Sequence, residues 1–426
     1  MKEIRQKEPV FQWILLGLLI IAIFTPNILV QVYIHNHEAN DFIDHILYAG
    51  LLLENPGDIP PHIQAHPLFQ ASVVTVQKII SFPLKLLRLK SIPIQAAGTI
   101  TTITFYVLLG CVLYKEIHLR LKSSRYNAVG WAISFTLFLM LVAPIPLVYL
   151  LDRQLYFGYI GINIYHNPTQ VVLKPLALLC FWYALKTFTK QSITWTDILL
   201  SALLNILSAL AKPSFLICLL PALGIMTSRQ LFYKYRTVAN PQKSIAPGLQ
   251  IKPPGQETII SWPMILLGVI LPSGAVLFLQ YLATYNTDQA GIIFDPLGPM
   301  SAASSYLLPK FLLSILFPLC MSLIYRKEVR KDTRMIFAWF LFFFGAFYTY
   351  FLAETGERYT HLNFGWGAEI TLFILFVSSA LFWIEQMKNT QNRLTRSQIL
   401  LWSVSGLHLV SGVIYYLYTI FVNFIS

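Results

Sequence analysis

"HPLFQASVVTVQKIISFPLKLLRLKS", His66 to Ser91, is long and apolar enough to cross a membrane, yet it carries Lys78, Lys85, Arg88 and Lys90. Its reading decides the fold, because a crossing here moves every later loop to the other side. A spanning helix needs about 20 mostly apolar residues, whereas a helix lying in the interface keeps its cations on one polar face. If the stretch lies along the outer interface, the loops assigned to the inside hold 22 Lys and Arg. The outside loops, the stretch itself apart, then hold three. If it crosses, the basic segments "YKEIHLRLKSSR" and "YRKEVRKDTR" fall outside, against the excess of Lys and Arg on cytoplasmic loops. An interfacial amphipathic helix is therefore expected, with the N-terminus inside.

Working outward, apolar runs near 11 to 34, 94 to 114, 127 to 150, 168 to 187, 197 to 211, 213 to 228, 259 to 284, 305 to 325, 335 to 353, 367 to 386 and 399 to 424 make eleven candidate spans. Of the 426 residues 56% are hydrophobic and 12% charged, where a soluble chain has about a quarter charged. The expected fold is one all-α, polytopic membrane domain over residues 1–426. It has a long first outer loop with interfacial helices (35–92), a basic cytoplasmic loop (229–258) and the C-terminus outside. The first run, Phe11 to Ile34, has no small-residue cleavage site ahead of the acidic stretch and reads as a retained helix in the cell membrane. The net charge of +12 is accounted for by the inner loops, so no nucleic-acid partner is inferred. Cys111, Cys180, Cys218 and Cys320 lie in apolar runs without CxxC spacing and read as small buried hydrophobes. The long inner loop has no glycine-rich phosphate motif, which argues against a nucleotide-sugar donor. Its Pro and Gly residues and its cations suit a surface loop beside anionic lipid.

Polar chemistry concentrates outside. Seven of nine histidines fall there: His35, His37, His45, His62, His66, His166 and His361. The loop from His35 to His66 has five carboxylates and no Lys or Arg. Within "NDFIDHILYAG" (Asn40 to Gly50), Asp41 and Asp44 would both sit in the first turn of a helix, where carboxylates suit the helix dipole. Asp41 reads as the cap. Asp44 has two readings, a second first-turn acid or a general base.

A first span, then a long outer loop with D-x-x-x-Y-A, here "DHILYA" with Asp44, Tyr48 and Ala49, then a Pro-containing lead-in to interfacial helices, here "HPLF" with His66 and Pro67, resembles the GT-C membrane glycosyltransferases. These include protein mannosyltransferases and lipid A aminoarabinose transferases. "ALAKPSF" adds a second likeness, with Lys212 at the outer end between two short spans. The resemblance covers the topology of about the first 230 residues, and each motif is short. It implies transfer of a sugar from a polyprenyl-phosphate donor to a glycan, lipid or protein acceptor on the outer face. It makes the first-loop acid the catalytic or acceptor-orienting carboxylate and places Lys212 on the lipid phosphate. Many relatives carry adjacent acids, whereas here His45 follows Asp44 and Asp41 lies a turn back. Asp44 is the expected base, and the choice between the two acids stays open.

The residues themselves suit such a reaction. The leaving phosphate gains negative charge as the sugar bond breaks, and cations aimed at it stabilise that charge; Lys212 and Arg358 are two of the few outside cations. The acceptor hydroxyl needs a base, and one carboxylate opposite a leaving phosphate gives a single inverting displacement, without the paired carboxylates of soluble glycosidases. Against this, Lys212 could merely snorkel from a helix end, and Arg358 could pair with Glu354 or Glu357. "LDRQLYFGYIGINIYHNPTQ" and "ERYTHLNFGWG" are rich in aromatic residues that an interfacial belt explains. Their polar members do not belong to such a belt. His45, Tyr48, His66, His166, Asn167, His361 and Asn363 are the expected substrate contacts, because imidazole, amide and ring groups suit sugar hydroxyls and faces. Asp41, Asp44, His45 and His66 would suit Mg or Mn, but no tight ligand spacing recurs, and the families resembled can use lipid-phosphate donors without metal. Two other classes compete. A transporter or flippase of lipid-linked glycans would show ionisable groups at membrane depth, where Lys174 and Lys310 are the nearest examples. It would also favour internal repeats, and none is evident. A polysaccharide polymerase would carry several cations in large outer loops, and only three are present.

Overall fold

The computed structural model describes residues 10–34, 41–58, 64–122, 128–189, 192–239, 260–285, 291–388 and 395–421. Helices are α1 Val10–Tyr33, α2 Asp41–Glu54, α3 Leu68–Leu86, α4 Ile94–Leu121, α5 Ala128–Leu141, α6 Tyr149–Asp152, α7 Pro168–Lys186, α8 Trp195–Ala211 and α9 Ser214–Ala239. A π-helical segment, Met264–Ile270, runs into α10 Leu271–Tyr285. Then come β1 Ile292–Phe294, α11 Gly298–Ala303, α12 Leu307–Ser314, α13 Leu316–Ile324, α14 Arg326–Val329, α15 Thr333–Phe351, β2 Leu352–Glu354, α16 Gly365–Lys388 and α17 Arg396–Phe421. Among the described residues eight helices are long and apolar enough to cross a membrane. The pair α12 and α13, bent by 65°, would make a ninth. The protein is thus a multi-pass, helical membrane protein. α3 is not among these eight helices. His35, His37, His62 and residues 240–259 of the inner loop lie outside the described residues.

Two of the expected spans differ. The run 127 to 150 is helical only to Leu141 before an extended stretch, so its 14-residue helix is shorter than one that crosses by itself. Pro144 and Pro146 supply no amide donors, the helix ends, and side chains elsewhere take carbonyls left without helical partners. His408 Nδ1 meets Ala143 O at 2.8 Å, Ser411 Oγ donates to Pro144 O, and Asn163 Nδ2 donates to Leu139 O and Val142 O at 3.1 and 2.9 Å. The run 305 to 325 breaks at Ile315, because Pro318 has no amide for the Ser314 carbonyl and its ring crowds that oxygen. The run 197 to 211 forms the short helix expected of it, 17 residues long. In addition, the helix that starts at Ser214 continues to Ala239, so the first part of the expected 229–258 loop is helical.

The chain forms two compact units. The first comprises Met1–Pro175, Ser301–Tyr325 and Phe376–Ser426. Here α1 packs on α4, α4 on α5, and α17 on both α1 and α5. The approach of α1 to α4 is close enough that a Cβ on Gly110 would overlap Ile20. Phe24 stacks on Tyr106 with centroids 4.3 Å apart, and Asn27 Nδ2 donates to Thr419 Oγ1 at 2.6 Å. Such interhelical polar bonds supply cohesion where lipid gives apolar surfaces no preference for each other. α2 and α3 pack on one another and both lie against α4.

The second unit comprises Leu176–Met300 and Arg326–Leu375. α8 starts with a capping box, Thr194 with Asp197, and ends where Pro213 forces Lys212 into extended backbone, φ −169°. In the π-helical segment Gly268 O accepts from Ser201 Oγ and Asn205 Nδ2, both at 3.0 Å, while Gln280 Nε2 donates to Ala209 O at 2.8 Å. Those contacts run upward in number along both partners, so α8 and α10 are parallel. β1 and β2 form an antiparallel ribbon with Ile292 opposite Glu354.

Candidate functional site

In the first unit the acids of α2 are separated by their partners. Asp41 is the first residue of the helix, and Asn167 Nδ2 donates to its Oδ2 at 2.6 Å. Asn167 is 3% exposed and caps α7: its Oδ1 accepts from Gln170 N at 3.2 Å and from Thr169 Oγ1 at 2.6 Å. Asp44 lies one turn on, half-buried, beside Tyr48, whose hydroxyl is pushed above its ordinary pKa by burial and then by the Asp44 charge.

His45 is buried, and its Nδ1 lies 2.7 Å from Gln70 Nε2 of α3. An amide nitrogen only donates, so Nδ1 accepts and the ring proton sits on Nε2. The imidazole therefore ties α2 to α3, with Phe69 edge-on at 6.1 Å. His66 and His166 are half-buried. Among the described residues no three His, Cys, Asp or Glu side chains group as a metal site.

The two lysines noted within apolar runs are both buried. Lys174 Nζ donates to Asn163 Oδ1 at 2.6 Å. Lys310, 0% exposed, pairs with Asp152 at 2.5 Å and donates to Phe157 O at 2.6 Å. Gly158, at φ +81°, lets the loop backbone lie against the Lys310 side chain. Burial raises the Asp152 pKa, but bonds from Lys310, Ser304 and the Gln154 amide outweigh it and leave the carboxyl below its ordinary value. The segment from Arg153 to Asn167 has little regular structure, yet Tyr159, Ile160, Ile162, Asn163 and Tyr165 within it are buried.

In the second unit, Lys212 Nζ stands 3.7 Å from the centre of the Trp366 ring. Arg358 pairs with Glu354 at 2.8 Å, the pairing that competes with phosphate contact, and Asn363 Nδ2 donates to the other Glu354 oxygen. Glu354 is only 4% exposed. The ribbon fixes it, with Thr355 N donating to Gly291 O at 2.9 Å. Tyr359 donates to Asp295 Oδ2 at 2.7 Å, and this bond raises the hydroxyl pKa. Glu354, Arg358, Tyr359, Asn363 and Thr349 line a small cleft of about 10 Å³, room for about one water molecule. His361 is exposed at the end of the short 3-10 turn Gly356–His361.

The expected site residues thus gather into two groups, Asp41, Asp44, His45, Tyr48, His66, His166 and Asn167 on the first unit and Lys212, Arg358, His361 and Asn363 on the second. Gln70, Asn163 and Asp295 carry no local motif, and a contact distant in sequence is what gives each of them a role. No protein-family model matches the chain, and no curated protein matches it.

Proposed function

We propose that the protein is a membrane glycosyltransferase of the GT-C type, moving a sugar from a polyprenyl-phosphate donor to an acceptor on the outer face of the cell membrane. The observation that carries this reading is the first loop. α2, with two carboxylates in its first turn, is clamped to α3 through His45 and Gln70, and one of the acids is held by a buried amide. A carboxylate mounted on an interfacial helix pair suits a reaction whose donor lies in the leaflet and whose acceptor approaches from water. The acceptor O–H would break with its proton passing to the carboxylate. Its oxygen bonds the anomeric carbon, and the bond from that carbon to the phosphate oxygen breaks with its electron pair on the phosphate. This is one displacement with inversion. Lys212 would meet the phosphate charge. Arg358 serves the same charge in this reading, with its own already offset by Glu354.

The reading takes eleven crossings, counting α5, α8 and the bent α12–α13 pair, with the N-terminus and basic loops inside. α3 lies on the outer interface. It invokes no metal, although Mg or Mn beside Asp41 and Asp44 is compatible with the chemistry. The test is transfer of labelled sugar from undecaprenyl-phosphate donors by the protein in nanodiscs, with the anomeric configuration of the product read by NMR. A retained configuration, or no transfer from any donor, would sink it.

One observation favours a second reading, transport of a lipid-linked glycan. The first unit has two interrupted helical runs and two buried lysines, features that transporters use at membrane depth. Proteoliposomes that translocate a labelled polyprenyl-linked glycan without altering it would select this reading.

A further inference from the structure

We propose that Asn167 is the positioning residue of the first-loop carboxylate, and that Asp41, the acid it holds, takes the acceptor's proton. The inference rests on the glycosyl-transfer reading and decides between the two acids of α2. Asn167 is a rigid mount. Its Oδ1 is committed to Thr169 Oγ1 and to the Gln170 amide, so the amide cannot flip and Nδ2 faces Asp41 Oδ2 at 2.6 Å. Pro168 follows as the first residue of α7, and its fixed φ prevents the cap from swinging. Lower on the same helix, Lys174 holds Asn163, which in turn holds Leu139 O and Val142 O at the end of α5. The start of α7 is therefore tied to a second element besides α2.

Among the described residues Asn167 is the hydrogen-bond partner of Asp41, and only one carboxylate oxygen is engaged. The other, Oδ1, is the oxygen that receives the proton when the acceptor O–H breaks. The acceptor oxygen then bonds the anomeric carbon, and the phosphate leaves with the electron pair of its broken bond. Asp44, a turn away, sits beside the Tyr48 hydroxyl. A base whose direction is set before substrate arrives needs no reorganisation in the transition state. Asn167 would thus act through Asp41 and would not itself touch the sugar.

The two roles of Asn167, cap and mount, can be separated. Ser and Asp cap helices about as well as Asn, but Ser is too short to reach Asp41 and Asp presents a like charge to it. The experiment uses the full chain in nanodiscs, tritiated undecaprenyl-phosphate hexose and pentose as donors, and a delipidated envelope extract as acceptor. Asn167→Ser should unfold near the wild-type temperature and keep the donor KM within about twofold while kcat falls at least about tenfold; Asn167→Asp, which sets a second carboxylate against Asp41, should lower kcat at least as much and also lower the unfolding temperature. Asp41→Asn should lose at least about a hundredfold, and adding Asn167→Ser to it should cost little more, because the two act as a unit. Full kcat in both Asn167 variants would reduce Asn167 to a cap and overturn the proposal. An active Asp41→Asn with an inactive Asp44→Asn would assign the base to Asp44 and overturn it while leaving glycosyl transfer intact. A wild-type protein that transfers from neither donor would remove the transfer reading and this inference with it.

Discussion

Lys212 owes its position to two neighbours in sequence and one in space. Ala211 ends α8, Pro213 keeps Lys212 extended, and the Trp366 ring lies 3.7 Å from its ammonium. A cation over an indole face is stabilised without being neutralised, so it can still meet an anion. Lys212→Met should lower turnover and binding of polyprenyl phosphate together, and Lys212→Arg, which keeps the charge but changes reach, should retain part of both. Unchanged phosphate binding in the Met variant, measured by equilibrium dialysis, would show that the ring contact is its whole role. Lys310 is the opposite case, fully buried and matched to Asp152. Removing one member of a buried pair leaves an uncompensated charge, so Lys310→Met should cost about 3–5 kcal/mol of stability, with part recovered in Lys310→Met/Asp152→Asn. The Asp152 carboxyl titrates below its unfolded value of 3.8. Its contribution is therefore fully present above that value and is lost as pH falls through the folded pKa. Thermal unfolding of wild type and Asp152→Asn should differ by a constant amount from about pH 7 to about 5 and converge in stronger acid. A gap that instead opened on acidification would contradict the pairing.

At the scale of elements, the interruption of α5 is compensated by α17. His408 and Ser411 receive the carbonyls of Ala143 and Pro144, and a Cβ at Gly412 would overlap Leu141 O. Glycine is thus required by a close backbone approach, with no need for an unusual φ. Gly412→Ala should force the two elements apart and cost about 1–3 kcal/mol, the usual penalty of overpacking. Gly406 is on the same helix with nothing within 4 Å of the point where a methyl would stand, so Gly406→Ala should be neutral or stabilise by up to about 1 kcal/mol. Equal unfolding temperatures for the two variants would refute the contact. The same logic explains why the run 127 to 150 looks like a span in sequence. Hydropathy counts apolar side chains, and Pro144 and Pro146 barely lower it, yet they end the helix.

For the whole molecule, the distribution of Lys and Arg sets the sidedness that the glycosyltransferase reading needs. If α3 does not cross, the exposed residue Ser192 lies on the cytoplasmic side, and so does Ser123, which is outside the described residues. Cysteines introduced at either position should resist a membrane-impermeant thiol reagent in intact cells and react after permeabilisation. Strong labelling from outside would invert the later loops and remove Lys212 and Arg358 from the face where the donor is proposed to bind.

Composition and hydropathy alone determined that the chain is a helical, multi-pass membrane protein, and among the described residues eight of the expected runs are helices long and apolar enough to cross, because hydrophobic length is a local property. The acids at the start of α2 and the lysine between α8 and α9 were legible for the same reason, each being defined by its immediate neighbours. Tertiary structure alone decided the partners of the other polar groups, Asn167 for Asp41, Gln70 for His45 and Asp152 for Lys310, whereas Glu354 for Arg358, four residues apart, was one of two local candidates. Asp41 and Asn167 are separated by 126 residues, and no local pattern encodes such a pairing. It arises because a buried polar group must find a complementary one wherever packing brings it.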